Sequence, residues 1–354
     1  LTSDIVWLVE QSVTLADGST QRVLVPQVYV RVKPGDIDGG GALLSANDLR
    51  ITTAPGSGTG NVTNTGTLAG RSLVSITADN IDNLGGRIVG GSVGLNARTD
   101  LNNIGGSIEA RNAAVLTAGR DINIRTTTSS QSGAQGSRTA IDRVAGVYVT
   151  NPGGTLIASA GNDVNLVGAI LSSAGTVAVG AGRDINLGTV KTSRSEDITW
   201  DAKNYRRSSD SQDMGSVIAG DGAVRLAAGN DLNLRAATVV SNNDALIATA
   251  RNDIRVEAGQ SSESLSSASF QKSKGLMSTS THTRRDNIAT SDVVASTLSG
   301  NTVALVAGQD ITLQAAQLKS EGAMSLSAGR DITLSTANQS STESHFKEDR
   351  LGVV

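Results

Sequence analysis

The stretch Ala181-Gly182-Arg183-Asp184-Ile185-Asn186-Leu187 decides the fold, because close copies of it recur along most of the 354-residue chain. Its pattern is Ala-Gly-x-Asp-aliphatic-polar-aliphatic. Clear copies begin at Ala118, Ala160, Ala228, Ala307 and Ala328. Weaker copies contain Asp48, Asp100 and Asp253. Self-similarity of this kind is the sequence signature of a repeat architecture.

The spacing of the aspartates sets the size of the repeat. Asp163 and Asp184 are 21 residues apart, and so are Asp310 and Asp331. Asp121 and Asp163 are 42 residues apart, which we interpret as two units of 21. A unit of this size is too short for helical repeats of about 34 residues or propeller blades of about 40.

Within one unit, aliphatic and polar residues alternate with a period of two. The stretch 107–124 contains Ser-Ile-Glu, Ala-Val-Leu-Thr and Asp-Ile-Asn-Ile, with Gly or Asn at the corners. Three short strands therefore fit each unit, and coiling them places the aliphatic side chains inside a narrow tube. The sequence predicts an all-β parallel β-helix with about 21 residues and three strands per rung. The leucine-rich repeat is disfavoured because its L-x-x-L-x-L-x-x-N pattern is absent.

The composition is typical of such a tube. The chain has 40 Gly but only 2 Phe, 2 Trp and 3 Tyr, whereas large globular cores rely on aromatic rings. We expect glycine to turn the corners. The absence of Cys excludes disulfides, thiolate metal sites and cysteine nucleophiles. A net charge of −3 offers no global field for nucleic acid or an anionic membrane.

The repeats resemble the haemagglutinin repeats of filamentous haemagglutinin and of the CdiA contact-dependent growth-inhibition proteins. The opening stretch 4–30 is similar to the start of the second haemagglutinin-repeat region of CdiA-type proteins. The resemblance implies a right-handed helix, export through an outer-membrane transporter of the two-partner-secretion type, and display on the bacterial cell surface. It also implies a toxin beyond this chain. Because the chain opens at Leu1 with no signal peptide, we expect it to be part of a longer protein.

Three interruptions of the repeat lie at 126–145, 188–216 and 259–292. A clean repeat resumes after each of them, as expected when segments are inserted at one corner of a solenoid. We expect an opening β-rich segment at 1–40 and a β-helix over 41–335 with protruding hairpin or loop excursions. Residues 336–354 are expected to begin a further, truncated excursion.

Aromatic and basic residues concentrate in these excursions. The candidate partner-contact residues are Trp200, Tyr205, Arg206, Arg207, Phe270, Lys272, Lys274, Arg284 and Arg285. Aromatic side chains carry packing area, which favours the interpretation that the rings pack the hairpins onto the flank of the solenoid. The alternative is that these residues form a contact surface for a partner, since aromatic rings and arginines are enriched in binding hot spots.

The recurring aspartates are expected to be structural. These corner residues are Asp121, Asp163, Asp184, Asp231, Asp253, Asp310 and Asp331. Such side chains bond backbone amides at turns, and the G-G-x-G-x-D turn of calcium-binding repeats is missing. With 2 His and no Cys, a zinc site or a nucleophile–base pair is not expected. The sequence therefore predicts no catalytic residue, no metal and no cofactor.

The resemblance predicts a non-enzymatic repeat region that helps deliver a C-terminal toxin across the outer membrane of a target bacterium. The expected partners are the export transporter and the target-cell outer membrane or a surface protein, with no nucleic acid and no small-molecule substrate. Two alternatives remain open. One is an adhesin rod that binds a receptor or glycan through its excursions, and the other is a polysaccharide-cleaving β-helix enzyme.

Overall fold

The structure is a computed structural model that describes residues 5–14, 20–29, 41–56, 60–276 and 278–353. The chain divides into two compact units, Leu1–Ala42 and Leu43–Val354. In the first unit, β1 (Ile5–Thr14) pairs antiparallel with β2 (Thr20–Tyr29). The opening segment predicted at 1–40 falls partly outside the described residues, at 1–4, 15–19 and 30–40.

The second unit is built from β-strands throughout its described residues. Its strands up to the second interruption are β3 (Leu43–Thr52), β4 (Val62–Asn64), β5 (Thr67–Ala78), β6 (Ile81–Leu84), β7 (Arg87–Ala97), β8 (Leu101–Ile104), β9 (Ser107–Ala118), β10 (Ile122–Arg125), β11 (Thr127–Gly133), β12 (Gly136–Arg143), β13 (Gly146–Val149), β14 (Thr155–Ala160), β15 (Val164–Val167), β16 (Ile170–Ser173), β17 (Thr176–Ala181) and β18 (Ile185–Gly188). The strands that follow are β19 (Val190–Asp201), β20 (Asn204–Met214), β21 (Val217–Gly220), β22 (Val224–Ala228), β23 (Leu232–Arg235), β24 (Thr238–Ser241), β25 (Ala245–Ala250), β26 (Ile254–Glu257), β27 (Gly259–Lys274), β28 (Ser278–Val294), β29 (Thr297–Gly300), β30 (Thr302–Ala307), β31 (Ile311–Gln314), β32 (Gln317–Ser320), β33 (Met324–Ala328), β34 (Ile332–Ser335) and β35 (Ser340–Val353).

Parallel pairing between successive rungs builds the solenoid. One face is a ten-stranded sheet that runs from β4 to β34, and the other faces belong to a sixteen-stranded sheet. Ile185 pairs with Val164 of the preceding rung, 21 residues earlier, and with Leu232 of the following rung. Each rung from β13 onward contributes three short strands, such as β16, β17 and β18. The predicted parallel β-helix with three strands per rung is confirmed.

Aliphatic side chains fill the interior of the solenoid. Ile122, Ile124, Leu166 and Leu171 are fully buried, and the residues between them along each strand face outward. No aromatic side chain belongs to the hydrophobic core of the described residues. The tube is therefore filled by branched aliphatic residues and alanine, which explains the low aromatic content of the sequence.

The glycine of the repeat serves the contact between rungs. A Cβ atom at Gly182 would collide with the carbonyl oxygen of Gly161, and one at Gly329 would collide with that of Gly308. The glycines that turn corners in a left-handed conformation are others, for example Gly85 with a φ of 68°. The expectation that the repeat glycine turns the corner was therefore incomplete: that position is small so that adjacent rungs can approach.

The three interruptions and the last strand form a single antiparallel sheet, which we call the hairpin sheet. Its seven strands are ordered β11-β12-β19-β20-β27-β28-β35. The β11–β12, β19–β20 and β27–β28 hairpins pair with one another through β12–β19 and β20–β27, and β35 pairs with β28. The excursions are thus ordered strands of one sheet.

The hairpin sheet is continuous because its spacing matches that of the solenoid. Two rungs separate each hairpin from the next, since β13–β18 lie between the first pair and β21–β26 between the second. Two rungs rise about 9.6 Å, and a hairpin of two strands is also about 9.6 Å wide. One hairpin for every two rungs therefore brings each hairpin to pairing distance of its neighbour.

One spacing in the sequence was misinterpreted. The backbone N–H of Asp163 donates to Oδ1 of Asp121 at 3.1 Å, so these two aspartates lie on adjacent rungs. Their separation of 42 residues is one rung plus the β11–β12 hairpin, and not two rungs. The interpretation was wrong because this hairpin is about as long as a rung.

Candidate functional site

Residues that face each other across paired strands share one side of the hairpin sheet. Tyr205 faces Ala268, Ala268 faces Arg285, and Arg285 faces Phe346. We call the side that carries this row the front face. Because side chains alternate along a strand, Arg207 also lies on the front face, whereas Arg206 lies on the opposite, back face.

Three aromatic rings and their cations form a cation–aromatic patch on the front face. Its members are Lys203, Tyr205, Arg207, Phe270, Lys272, Lys274, Arg285 and Phe346. The guanidinium carbon of Arg207 lies 4.8 Å from the Tyr205 ring centroid, and that of Arg285 lies 5.9 Å from the Phe346 centroid. Lys203 Nζ lies 4.5 Å from the centroid of Phe270. At such distances the negative face of a ring attracts a cation.

The turn between β19 and β20 is held in place by Asp201. Oδ1 of Asp201 accepts the backbone N–H groups of Lys203 and Asn204 at 2.7 and 2.9 Å, and Oδ2 accepts from Asn204 Nδ2 at 2.8 Å. The side-chain hydrogen bond from Asn204 is the main reason why the pKa of Asp201 is lowered. Asn204 Oδ1 in turn accepts the backbone N–H of Phe270 at 2.7 Å, which joins this turn to the next hairpin.

The charge of the patch is only partly neutralised. Arg207 Nε lies 3.2 Å from Oδ1 of Asp197. Among the described residues, no carboxylate forms an ion pair with Lys272, Lys274 or Arg285. All three side chains are exposed, so this end of the front face carries a net positive charge.

The structure brings together six of the nine candidate contact residues predicted from the sequence. Tyr205, Arg207, Phe270, Lys272, Lys274 and Arg285 share the front face. Arg206 and Arg284 lie on the back face, where they pair with Glu196 and Asp286. Trp200 is 67% exposed beside the turn after β19.

Sequence reasoning missed two members of the patch. Lys203 was overlooked because it lies in a turn, and Phe346 because its partner strand is about 60 residues earlier in the chain. The alternation of polar and apolar residues was the available signal. It assigns a residue to one of two sides within a strand, but it does not relate the sides of strands in different hairpins.

Two rows of hydroxyl groups continue the front face toward the solenoid. The first row is Ser132, Ser137, Ser195, Ser209, Ser264, Ala289 and Thr342, and the second is Ser130, Thr139, Ser193, Ser211, Ser262, Ser291 and Ser340. Neighbouring hydroxyl oxygens lie 2.9 Å apart in Ser209–Ser264 and in Ser211–Ser262. Ala289 is the only residue of either row without a hydroxyl group. We call this arrangement the hydroxyl rows.

The back face carries a histidine–aspartate–cation triad between β28 and β35. His345 Nδ1 lies 2.8 Å from Asp286 Oδ1, and Arg284 Nε donates to Asp286 Oδ2 at 2.8 Å. The hydrogen bond with Asp286 raises the pKa of His345, and the same bond lowers the pKa of Asp286. The charged forms of both residues therefore favour the pairing of the two strands.

A second triad repeats this arrangement with the strands exchanged. His282 on β28 has its Nδ1 2.7 Å from Asp349 Oδ1, and Lys347 Nζ lies 3.3 Å from Asp349 Oδ2. The bond from His282 is the first cause of a lowered pKa at Asp349. Both triads line one groove of about 640 Å³. Each aspartate is bound by its own histidine and cation. The negative charges in this groove are therefore already paired, and these pairs join β28 to β35.

The corner aspartates form a column along the solenoid. In each of six adjacent pairs of rungs, Oδ1 of one aspartate accepts the backbone N–H of the next aspartate at 3.0–3.2 Å. The acceptors are Asp121, Asp163, Asp184, Asp231, Asp253 and Asp310, and the N–H of Asp331 is the last donor. Arg183 Nε also donates to Asp163 at 2.8 Å. These carboxylates are engaged in bonds between rungs.

Sequence reasoning did not anticipate a second column, which is formed by asparagines. Asn186 Nδ2 donates to Asn165 Oδ1 at 2.9 Å, and Asn165 Nδ2 donates to Asn123 at 3.0 Å. Asn233 extends the column with a bond of 2.9 Å to Asn186. The signal was the recurrence of Asn at the polar position of the repeat.

The described part of the chain contains no group of three His, Cys, Asp or Glu side chains placed to hold a metal ion. Its residues also include no helix with the length and apolarity needed to cross a membrane.

Two stretches of the chain, residues 201–284 and 277–353, match the Hemagglutinin repeat family. The first begins at the last residue of β19, and the second begins between β27 and β28. Each match therefore starts at a hairpin turn and passes through two rungs. Over residues 201–353, the matched repeat therefore contributes strands both to the solenoid and to the hairpin sheet.

Several CdiA proteins are similar to the chain. The tRNA nuclease CdiA of Escherichia coli strain STEC_O31 is 26% identical over 99% of the chain. The tRNA nuclease CdiA of Escherichia coli O6:K15:H31 is 31% identical over 85%, and the 16S rRNA endonuclease CdiA of Enterobacter cloacae is 29% identical over 49%. The chain spans only 13%, 9% and 5% of these relatives, respectively. No solved structure matches the chain.

The chain is a β-helix with a hairpin sheet, and its residues 201–353 match the haemagglutinin-repeat family. Over most of its length it is similar to filamentous haemagglutinin-like proteins of the CdiA type. This is the family resemblance that the Ala-Gly-x-Asp repeats predicted.

Proposed function

We propose that this chain is a non-enzymatic section of a secreted, surface-displayed exoprotein that helps deliver a C-terminal toxin across the outer membrane of a target bacterium. The supporting observation is its similarity to CdiA over 99% of its length, combined with coverage of only 13% of that relative. Export would use a transporter of the two-partner-secretion type. The target-cell outer membrane or a surface protein would be the second partner.

We attribute the nuclease activities in the relatives' names to parts of those proteins that this chain does not cover. The recurrent carboxylates of the chain are bound to backbone amides and arginines, as in Asp163 with Arg183. Several carboxylates of the hairpin sheet are likewise paired, as in Asp286 with His345. General acid–base chemistry needs a carboxylate that is free to exchange a proton with a substrate.

The solenoid suits a stiff spacer. Most of its outward-facing side chains are polar, and its aliphatic core points inward. A surface of this kind is not suited to lipid tails. If the region enters the target membrane, it must therefore refold, oligomerise or use a partner.

A deletion in the exoprotein that carries this chain tests the delivery role. Removal of 43–353 should abolish growth inhibition of target cells while attachment to these cells remains. The readouts are target-cell survival in co-culture and counts of attached cells. A loss of attachment, or unchanged growth inhibition, would contradict the proposal.

The cation–aromatic patch favours a second candidate function, attachment to a cell surface through the hairpin sheet. Its rings and cations share one exposed face, and such residues are enriched at hot spots. The labelled chain should bind target cells saturably, and replacement of the front-face arginines Arg207 and Arg285 by serine should weaken this binding. Equal binding of the variant would exclude attachment through this patch.

A further inference from the structure

We infer that the front face of the hairpin sheet binds an acidic polysaccharide, whose sugar chain lies in a shallow groove above Ala289 and reaches the cation–aromatic patch. The inference rests on the second proposed function, attachment through the hairpin sheet, for which it names the class of ligand.

The shape of the front face supports this inference. A groove of about 370 Å³ lies between the patch and the hydroxyl rows. Front-face side chains along it are Arg207, Ser209, Ser264, Ser266, Asn287 and Thr342. Ala289 lies among them and is the position where the hydroxyl rows lack a hydroxyl group. Its small side chain leaves the space that the groove occupies.

The polar groups of the groove match a ligand rich in hydroxyls. A serine or threonine hydroxyl both donates and accepts, and so does the side-chain amide of an asparagine. Ser266 Oγ donates to Asn287 Oδ1 at 2.7 Å, which leaves the amide N–H groups of Asn287 available to a ligand. Strands are about 4.8 Å apart and same-side residues about 6.8 Å apart, so the hydroxyls recur at regular intervals. A repeating, extended ligand can use such an array.

The cations of the cation–aromatic patch favour a ligand that carries negative charge. Tyr205 and Phe346 lie on the front face in the row next to Arg207, and Phe346 is 46% exposed. Aromatic rings supply apolar area beside a polar groove, as found in small-molecule and sugar sites. Arg207 and Arg285 can bind carboxylate or phosphate groups through paired N–H donors. From the row of Phe270 to that of Ser262 the front face is about 27 Å long, since it spans eight residues of one strand.

Other anionic ligands fit this face less well. A lipid surface is bound by burying apolar side chains, and the front face places serines and threonines next to the patch. A nucleic acid backbone offers its phosphates mainly as acceptors, whereas the hydroxyl rows supply donors and acceptors together. An acidic sugar chain is the ligand that uses the groove, the hydroxyls, the rings and the cations at once.

The test compares the two faces with variants of equal charge. Binding of the full 354-residue chain to polygalacturonate is measured by isothermal titration calorimetry, with neutral dextran as the uncharged control. The front-face variant is Arg207→Ser with Arg285→Ser, and the matched back-face variant is Arg206→Ser with Arg284→Ser. We expect the front-face variant to bind about tenfold or more weakly, because two charge-assisted contacts are lost. The back-face variant should stay within about twofold of the original affinity.

A second pair of variants tests the groove without changing charge. Ala289→Ile fills the groove, and Thr290→Ile makes a similar change on the back face of the same strand. Isoleucine suits a strand at both positions. We expect Ala289→Ile to weaken polygalacturonate binding about tenfold or more, because the larger side chain blocks the groove. Thr290→Ile should leave the binding unchanged, because it lies on the back face.

Several results would overturn the inference. These are the absence of saturable polygalacturonate binding, equal losses in front-face and back-face variants, and tighter binding to single-stranded DNA or to phosphatidylglycerol vesicles than to polygalacturonate. If the chain attaches to cells while polygalacturonate neither binds nor competes, the polysaccharide inference fails and the attachment function stands. If polygalacturonate binds while the chain does not attach to cells, the attachment function fails and the polysaccharide inference stands.

Discussion

The solenoid and the hairpin sheet are two β-structures with the same strand spacing and different sources of order. The solenoid pairs its strands in parallel around a buried aliphatic core. The hairpin sheet pairs its strands antiparallel, and none of its described residues belongs to that core. The solenoid is regular in sequence, whereas the strands of the hairpin sheet range in length from 7 residues in β11 to 17 in β28.

The comparison shows that regular structure does not require a regular sequence. In the solenoid, each rung needs its own aliphatic residues because each buries its own layer. In the hairpin sheet, the rungs from which the hairpins emerge set the distance between them. Cross-strand hydroxyl bonds and ion pairs then suffice to align the strands. We therefore expect substitutions to affect the two regions unequally.

The largest expected difference concerns burial. Leu166 is fully buried in β15, and Leu166→Ala should lower the free energy of unfolding by about 2–5 kcal/mol through lost burial and a cavity. Leu265 is half-buried in the hairpin sheet, and Leu265→Ala should cost about 1 kcal/mol or less. Urea unfolding followed by circular dichroism measures both. Equal costs would show that the hairpin sheet has a core of its own.

A smaller difference is expected from glycine. At Gly182 an added Cβ would meet the Gly161 carbonyl, so Gly182→Ala should cost about 1–3 kcal/mol. Gly133, at the end of β11, has open space around it, so Gly133→Ala should change stability by about 0.5 kcal/mol or less. The same urea experiment measures the pair. A tolerated Gly182→Ala would mean that the rungs can separate without loss of stability.

The smallest expected effect is a pH dependence of β35. Asp286 raises the pKa of His345. The contribution of His345 to the stability of the β28–β35 pairing is therefore complete below a pH of about 6.5 and is lost as the pH rises through the raised pKa. The pKa of Asp286 is lowered, so its contribution holds above a pH of about 4 and is lost as the pH falls through the lowered value. Pairing of β28 with β35 should therefore be strongest between these limits.

Hydrogen exchange measures this effect after correction for the intrinsic rates. We expect about twofold greater protection of β35 at pH 5 than at pH 8, a modest change because the His345 side chain is exposed. His345→Gln should reduce the difference. The β11–β12 hairpin contains no histidine and serves as the internal control. A similar change there would assign the pH effect to another cause.

The solenoid could be predicted from the sequence because its determinants are local. Seven consecutive residues, with the pattern Ala-Gly-x-Asp-Ile-Asn-Leu, contain the aliphatic residues that face inward, the small residue at the contact between rungs and the polar residues that form the two columns. The pairing of the excursions could not be predicted, because the register of β12 with β19 joins residues more than 50 positions apart. The 42-residue spacing was misleading for the same reason, since a hairpin of nearly one rung's length looks like a rung.

The candidate site was predictable in composition but not in arrangement. Aromatic and basic residues in the excursions pointed to Tyr205, Arg207, Phe270 and Arg285. Adjacent residues such as Arg284 and Arg285 are equivalent in composition, yet strand geometry places them on opposite faces. Which of the two arginines shares a face with Tyr205 depends on the pairing between hairpins.

The match between two rungs and one hairpin restricts how such a chain can change in length. Adding a single rung between two hairpins would shift every later hairpin by about 4.8 Å and open a gap one strand wide. Adding two rungs with one hairpin keeps all strands paired. The module from β13 to β20, residues 146–214, is therefore the smallest insertion or duplication that preserves both structures. Proteins of this architecture should vary in size by whole modules of this kind.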